Sequence, residues 1–170
     1  MSTNRPPSTS GFAGSPFKYV SRSLLVILRL HLGVILLITD LGKMTSSAPF
    51  SVEMLSYLQG FSMRMASGPY KHFLEQVVIP HAALFSYLIM AGELIAGLSL
   101  LFGIGTRVGA AIAMFLFLNF LFSKGRIFWS PDSEDAAVFF SALVCLLGAA
   151  GRVWGVDAYL ARRWPRVPLW

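Results

Sequence analysis

Residues 81–107 read HAALFSYLIMAGELIAGLSLLFGIGTR, an apolar run with one carboxylate, Glu93, near its middle. A helix needs about 20 mainly apolar residues to cross a bilayer, and this run supplies them. An acidic side chain at the centre of such a helix costs about 2.5–3.5 kcal/mol on insertion scales, which disfavours a Glu93 facing lipid. Either it faces a bundle interior and pairs with a cation, or it is protonated. Both arrangements place other helices beside it.

The rest of the chain agrees with a membrane setting. Of its 170 residues, 55% are hydrophobic and 13% charged, which lies on the membrane side of the globular range and fits one helical membrane domain. The net charge of +6 does not mark a nucleic-acid binder. Most Lys and Arg residues flank apolar runs, where they set topology and attract anionic lipid headgroups. The single cysteine, Cys145, lies inside an apolar run, so the chain alone offers no disulfide, redox pair or thiolate metal site. It reads as a buried structural residue.

Apolar patterning predicts an all-α membrane protein: a four-transmembrane-helix bundle with spans at about 23–42, 82–103, 106–122 and 136–150. Residues 1–22 form an N-terminal tail, with the Ser-, Pro- and Gly-rich stretch 1–15 expected to be flexible. Lys18 and Arg22 ahead of an apolar run resemble the start of a signal peptide. The run is longer than a signal core, however, and contains Arg29, His31 and Asp40, so it reads as a retained span. Loop 44–80 carries helical spacing of Phe, Leu, Met and Val, broken at 67–69, and reads as interfacial helices capping one mouth. Pro80 suits a first helical turn. The four-helix domain ends near 151, and the basic, Trp-rich tail 152–170 reads as an amphipathic surface anchor.

Four spans put both termini on one side. That side collects Arg5, Lys18, Arg22, Arg107, Arg152, Arg162, Arg163 and Arg166, against Lys43, Arg64, Lys71, Lys124 and Arg126 on the other. By the positive-inside rule the termini are cytoplasmic and the cap faces outward. The setting expected is a prokaryotic cytoplasmic membrane.

On a helical wheel, Arg29, Gly33, Leu36, Asp40 and Lys43 share one side of the first span, while His31 points away. Arg29 has three open readings: pairing with Glu93, pairing with Asp40, or snorkelling to the nearer headgroups. Small-residue strips follow on later helices: Gly97 after Glu93, then Gly105, Gly109 and Ala113, then Ala137, Ser141, Cys145 and Ala149. Such strips are packing devices first, although Gly97 is read as leaving open space beside the carboxyl.

Arg29 with Gly33, Gly42 with Lys43, Glu93 with Gly97, Gly103, Thr106 with Arg107, and GRVWGVD ending at Asp157 together resemble the DoxX family over residues 25–159. That family is similar to the membrane subunit of thiosulfate:quinone oxidoreductases, so the resemblance implies a four-helix, quinone-linked membrane protein. The sequence departs from the family pattern at Asp40, at Asp135 with Ala136, and at the end of the third span, where Asn119 and Ser123 are the nearest polar residues.

No bis-histidine haem is expected, because His31 lies within the first span and His81 at the outer end of the second, and no metal pattern is present. A quinone headgroup needs hydrogen-bonding groups and a proton path in an apolar cleft. The candidates are Arg29, Asp40, Lys43, His81, Glu93 and Asn119, with Glu93 and Arg29 as the catalytic pair. Three functions stand: an integral subunit of a quinone-linked oxidoreductase with another redox subunit as partner, a non-catalytic accessory subunit of a larger bioenergetic complex, or a small-molecule or proton carrier.

Overall fold

After Pro16 the sequence holds no proline until Pro49, and one helix, α1 (Phe17–Thr45), occupies most of the interval. The computed structural model describes residues 17–165 and 167, so the flexible tail expected over 1–15 lies outside the described residues. The helix starts at Phe17, six residues ahead of the predicted span, and takes in the last part of the segment expected as tail. The predicted stripe is its inner face: Arg29, Leu36 and Asp40 are buried and His31 is exposed.

Every regular element among the described residues is helical. The chain continues through α2 (Phe50–Tyr57), a π turn at Leu58–Ser62, α3 (Met63–Met65), α4 (Gly68–Phe73) and a second π turn at Leu74–Val78. Then come α5 (Ala82–Phe102), α6 (Thr106–Ser123), α7 (Glu134–Leu147), a 3-10 turn at Ala150–Arg152 and α8 (Val156–Arg163). Among the described residues, three helices, Arg22–Thr45, Ala82–Phe102 and Thr106–Ser123, are long and apolar enough to cross a membrane. Their outward faces carry exposed Ile27, Ile38, Leu84, Leu88 and Phe115. Such faces are costly in water and natural against lipid tails. The fourth span, predicted as a short one over 136–150, is displaced toward the N-terminus as a helix. α7 has 14 residues and stops at Leu147, where Gly148 and the left-handed Ala149 (φ 47°) turn the chain.

α1 packs on α5, α5 on α6, α6 on α7, and α7 back on α1. Small side chains bring them close: Ala96, Ala110, Ala113, Ala142 and Cys145 are fully buried with Leu32, Leu36 and Leu100. The tightest approach is between α1 and α5. A Cβ added at Gly33 would lie 2.8 Å from the Leu101 amide nitrogen, and one at Gly97 would lie 2.8 Å from the Leu37 side chain. The space beside Gly97 is therefore filled by Leu37 rather than open to Glu93.

The cap rests on the bundle through its own core of Met54, Leu58, Ala66, Leu74, Val78 and Ala82. Pro80 sits in the turn before α5 rather than in its first turn.

The C-terminal tail is more than a surface anchor. Trp154, Tyr159 and Trp164 are exposed as expected, but Asp157 is buried. Its carboxylate accepts from the amides of Gly105 (2.7 Å) and Thr106 (2.8 Å), and its own amide donates to the Gly103 carbonyl (2.8 Å). The first amides of α6 have no partner within their helix, and a carboxylate some fifty residues later fills that role with a charge favoured at a helix N-terminus. Asp157→Ala should lower stability by about 2–3 kcal/mol, the cost of leaving such donors unpaired, and Asp157→Asn by less. Thermal unfolding of the purified chain in a mild detergent checks both.

Candidate functional site

The polar residues of the bundle form two groups at opposite ends. At the cap end, Lys43 on α1 ion-pairs with Glu93 on α5, the Nζ meeting Oε2. The Glu93 side chain is 3% exposed and that of Lys43 21%. Asp40, one helical turn before Lys43, is buried within electrostatic reach of both, and its Oδ1 has no hydrogen-bond partner among the described residues. The Lys43 ammonium also stands over two aromatic rings, Phe50 at 4.9 Å and Phe120 at 5.9 Å, a cation–π arrangement strengthened by low dielectric.

Lys43 opens onto a cavity of about 700 Å³ between the cap and helices α5 and α6. Phe85, Phe115 and Phe120 are among its walls, and both π turns contribute through Leu58, Leu74 and Val78. Its polar groups are few: Lys43, Glu53, Tyr57, Tyr70, Asn119, Ser123 and Lys124. The Tyr70 hydroxyl donates to the Asn119 backbone carbonyl (3.0 Å) and lies 3.1 Å from its Oδ1, tying the cap to α6. Burial pushes the Tyr70 phenol up to about 12. Its proton is therefore retained through the neutral range, and any stability it lends is fully present below the ordinary phenol value of 10.0 and is lost as pH rises from there through about 12. Lys124 closes the same end by pairing with the buried Asp135 at 2.6 Å.

Of the residues singled out in the sequence, Asp40, Lys43, Glu93 and Asn119 gather at the cap end. Arg29 and His81 do not join them. Arg29 precedes Lys43 by fourteen residues, about 21 Å along a helix at about 1.5 Å per residue, and its guanidinium adjoins Gly103 and Gly155 at the opposite end. Its Nη2 lies 3.5 Å from the Trp154 carbonyl. The buried Glu/Arg pair is thus a Glu/Lys pair, because the α1–α5 crossing sets Asp40, not Arg29, beside Glu93. His81 is exposed at the start of α5, its Nδ1 2.9 Å from the Val77 carbonyl, about 18 Å of helix away from Glu93. Sequence reading missed Tyr70, the aromatic walls and the Lys124–Asp135 pair. The last joins the residue after α6 to the first turn of α7, and the sequence does not single it out because Arg126, Asp132 and Glu134 offer other pairings nearby.

The DoxX family model matches residues 24–124, more than half of the chain. The chain belongs to the DoxX family. No curated protein and no solved structure matches it. The DoxX stretch contains every residue that lines the cap cavity, together with Asp40 and Glu93, and excludes α7 and α8. Membership makes the chain a membrane protein, in agreement with its three long apolar helices.

The ion pair yields a directional test. Lys43→Met leaves Glu93 buried without its counter-ion and should cost about 3 kcal/mol, whereas Lys43→Met with Glu93→Gln together should recover most of that loss. A double-mutant cycle on unfolding in detergent measures the coupling.

Proposed function

We propose that this DoxX protein is an integral subunit of a quinone-linked membrane oxidoreductase and that its cap cavity receives the quinone. The observation that carries the reading is the cavity: about 700 Å³, within the usual range for small-molecule sites of roughly 300–1,000 Å³. Aromatic and aliphatic walls suit a quinone ring and the start of its isoprenoid tail, and a cationic donor stands at one edge.

The residues present fit such a ligand. A quinone, when bound, supplies two-electron, two-proton redox chemistry. The protein's part is to bind, orient and manage protons. Lys43, anchored by Glu93, offers its remaining N–H donors to a carbonyl oxygen, and Lys124 is a second donor across the cavity. Glu93 and Asp40 behind Lys43 form a short chain of acid–base groups through which a proton could be replaced after leaving Nζ. The Asn119 amide already donates to the Phe115 carbonyl at 2.7 Å and accepts from Tyr70, so it holds the wall rather than the ligand. Electrons come from a partner subunit, as befits a chain resembling a membrane subunit.

In this reading α7 is the fourth span. It lines α6 and α1, and the 3-10 turn and Arg152 extend its reach toward the headgroups. Both termini then lie in the cytoplasm of a prokaryotic cell with the cap outside. Single cysteines at Ser56 and Ser133 should react with an impermeant maleimide from the outer face of intact cells, and one at Arg163 only after permeabilisation. Labelling at residue 163 from the outer face of intact cells would remove the four-span topology.

The binding test uses the full chain in a mild detergent with a short-chain ubiquinone or menaquinone analogue. Binding should be saturable and weaken about tenfold in Lys43→Met, the scale of one lost charge-assisted hydrogen bond, while the exposed His72→Ala leaves it unchanged. A chain that binds no quinone, and whose deletion leaves the turnover of its complex intact, is an accessory subunit instead.

A further inference from the structure

At the end of the bundle opposite the cap lies a second cavity, of about 820 Å³, where the start of α1, the 3-10 turn and α8 converge. Three arginines border it, one from each element: Arg22, Arg152 and Arg162. Among the described residues, no acidic side chain lines it. The carboxylate nearest in sequence to Arg152 and Arg162, that of Asp157, accepts from the amides of Gly105 and Thr106. Between the arginines, Leu25 and Val153 give the cavity apolar wall, and Trp154, 84% exposed, stands at its edge.

Ordinary membrane topology explains part of this. Basic residues cluster on one side of a membrane protein, and Arg162 in the last turn of α8 also favours that helix's dipole. Neither effect requires arginines from three separate elements to border one concave site. Charge that only sets orientation does so from any position in the loops. A cleft with cationic edges, an apolar wall and an exposed indole at headgroup level has the make-up of a site for an anionic amphiphile.

We propose that this cleft binds a net-anionic phosphate group, with the phosphate held by Arg22, Arg152 and Arg162 and the glycerol and first acyl carbons of a phospholipid laid against Leu25 and Val153. All but one of these residues lie outside the stretch matched by the DoxX family model. The site is also independent of the cap cavity, so it stands or falls without the quinone reading.

The test uses the full chain purified in an uncharged detergent, with native mass spectrometry to count retained lipid. Dioctanoyl phosphatidylglycerol should be retained over dioctanoyl phosphatidylcholine by about tenfold, the scale of one to two arginines acting on a net charge. Arg22→Gln with Arg162→Gln, both exposed positions, should abolish that preference and leave the helical circular dichroism and the melting temperature unchanged. Arg64→Gln, exposed in the cap, should leave the preference intact. Equal retention of the two lipids by the unaltered chain overturns the proposal, as does a preference that survives in the double variant or one that Arg64→Gln removes equally. Competition with inorganic phosphate then identifies the source. Displacement of the lipid at low millimolar phosphate points to a free phosphate anion as the ligand, absence of displacement to a lipid headgroup, and either result upholds the phosphate site.

Discussion

The contact on which the rest depends is the crossing of α1 and α5 at Gly33 and Gly97. With no Cβ on either side, the two backbones approach until the Gly33 position lies against the Leu101 amide. Close approach gives packing in a setting where lipid tails compete with every apolar side chain, so the hydrophobic effect supplies little of the association. It also fixes the relative height of two antiparallel helices. Once Gly33 faces the Gly97 to Leu101 segment, Asp40 comes level with Glu93 and Arg29 level with Gly103. The Lys43–Glu93 pair and the seat of Arg29 against Gly103 follow from that stagger.

One consequence is that the costliest side chain of the second span finds its counter-ion in the last turn of the first. Lys43 brings its ammonium to Glu93 and, at the same time, over the rings of Phe50 and Phe120. A lysine suits this place better than an arginine would. Its compact ammonium can satisfy one carboxylate oxygen and keep other donors free, whereas a guanidinium fork tends to be consumed by a bidentate pair. The cap then turns a polar spot into a chamber. Its helices carry Met54, Leu58, Leu74 and Val78 inward, and the π turns at Leu58–Ser62 and Leu74–Val78 rotate those side chains relative to a regular helix. Such turns recur at functional sites for this reason.

How much of this was legible in the sequence can be judged residue by residue. The inner face of α1 was legible, because a wheel needs only the helical period, and so was the turn between the second and third spans, where Gly103 (φ 68°) and Gly105 (φ 58°) adopt the left-handed conformation that favours glycine. Glu93 was legible as buried because the cost of an exposed charge in lipid leaves few choices. Its partner was not. A wheel gives azimuth and no depth, and depth here is set by where two glycines meet on different helices. Asp157 was hidden for a related reason: a basic, Trp-rich segment has the composition of a surface anchor, and nothing local marks one carboxylate within it as the cap of a helix some fifty residues earlier. α7 ends at Leu147, short of the predicted 150, because the chain turns at a left-handed Ala149 that carries no mark of such a turn in the sequence.

Arg29 and Asp157 are best understood together. The helices α5 and α6 meet at one tight turn, so the negative end of one helix dipole and the positive end of the next lie side by side, each with unpaired backbone groups. Arg29 brings a cation against Gly103 at the C-terminus of α5, and Asp157 brings an anion onto the first amides of α6. Each charge opposes the terminus it touches, and the two also attract one another electrostatically. This accounts for a buried arginine whose Nε and Nη1 have no hydrogen-bond acceptor among the described residues, a position otherwise hard to sustain. It also separates two kinds of buried charge in one bundle. Those at the turn lie against backbone groups and close-packed glycines. Those at the cap end neutralise each other across two helices and border open space, and open space is what a ligand requires.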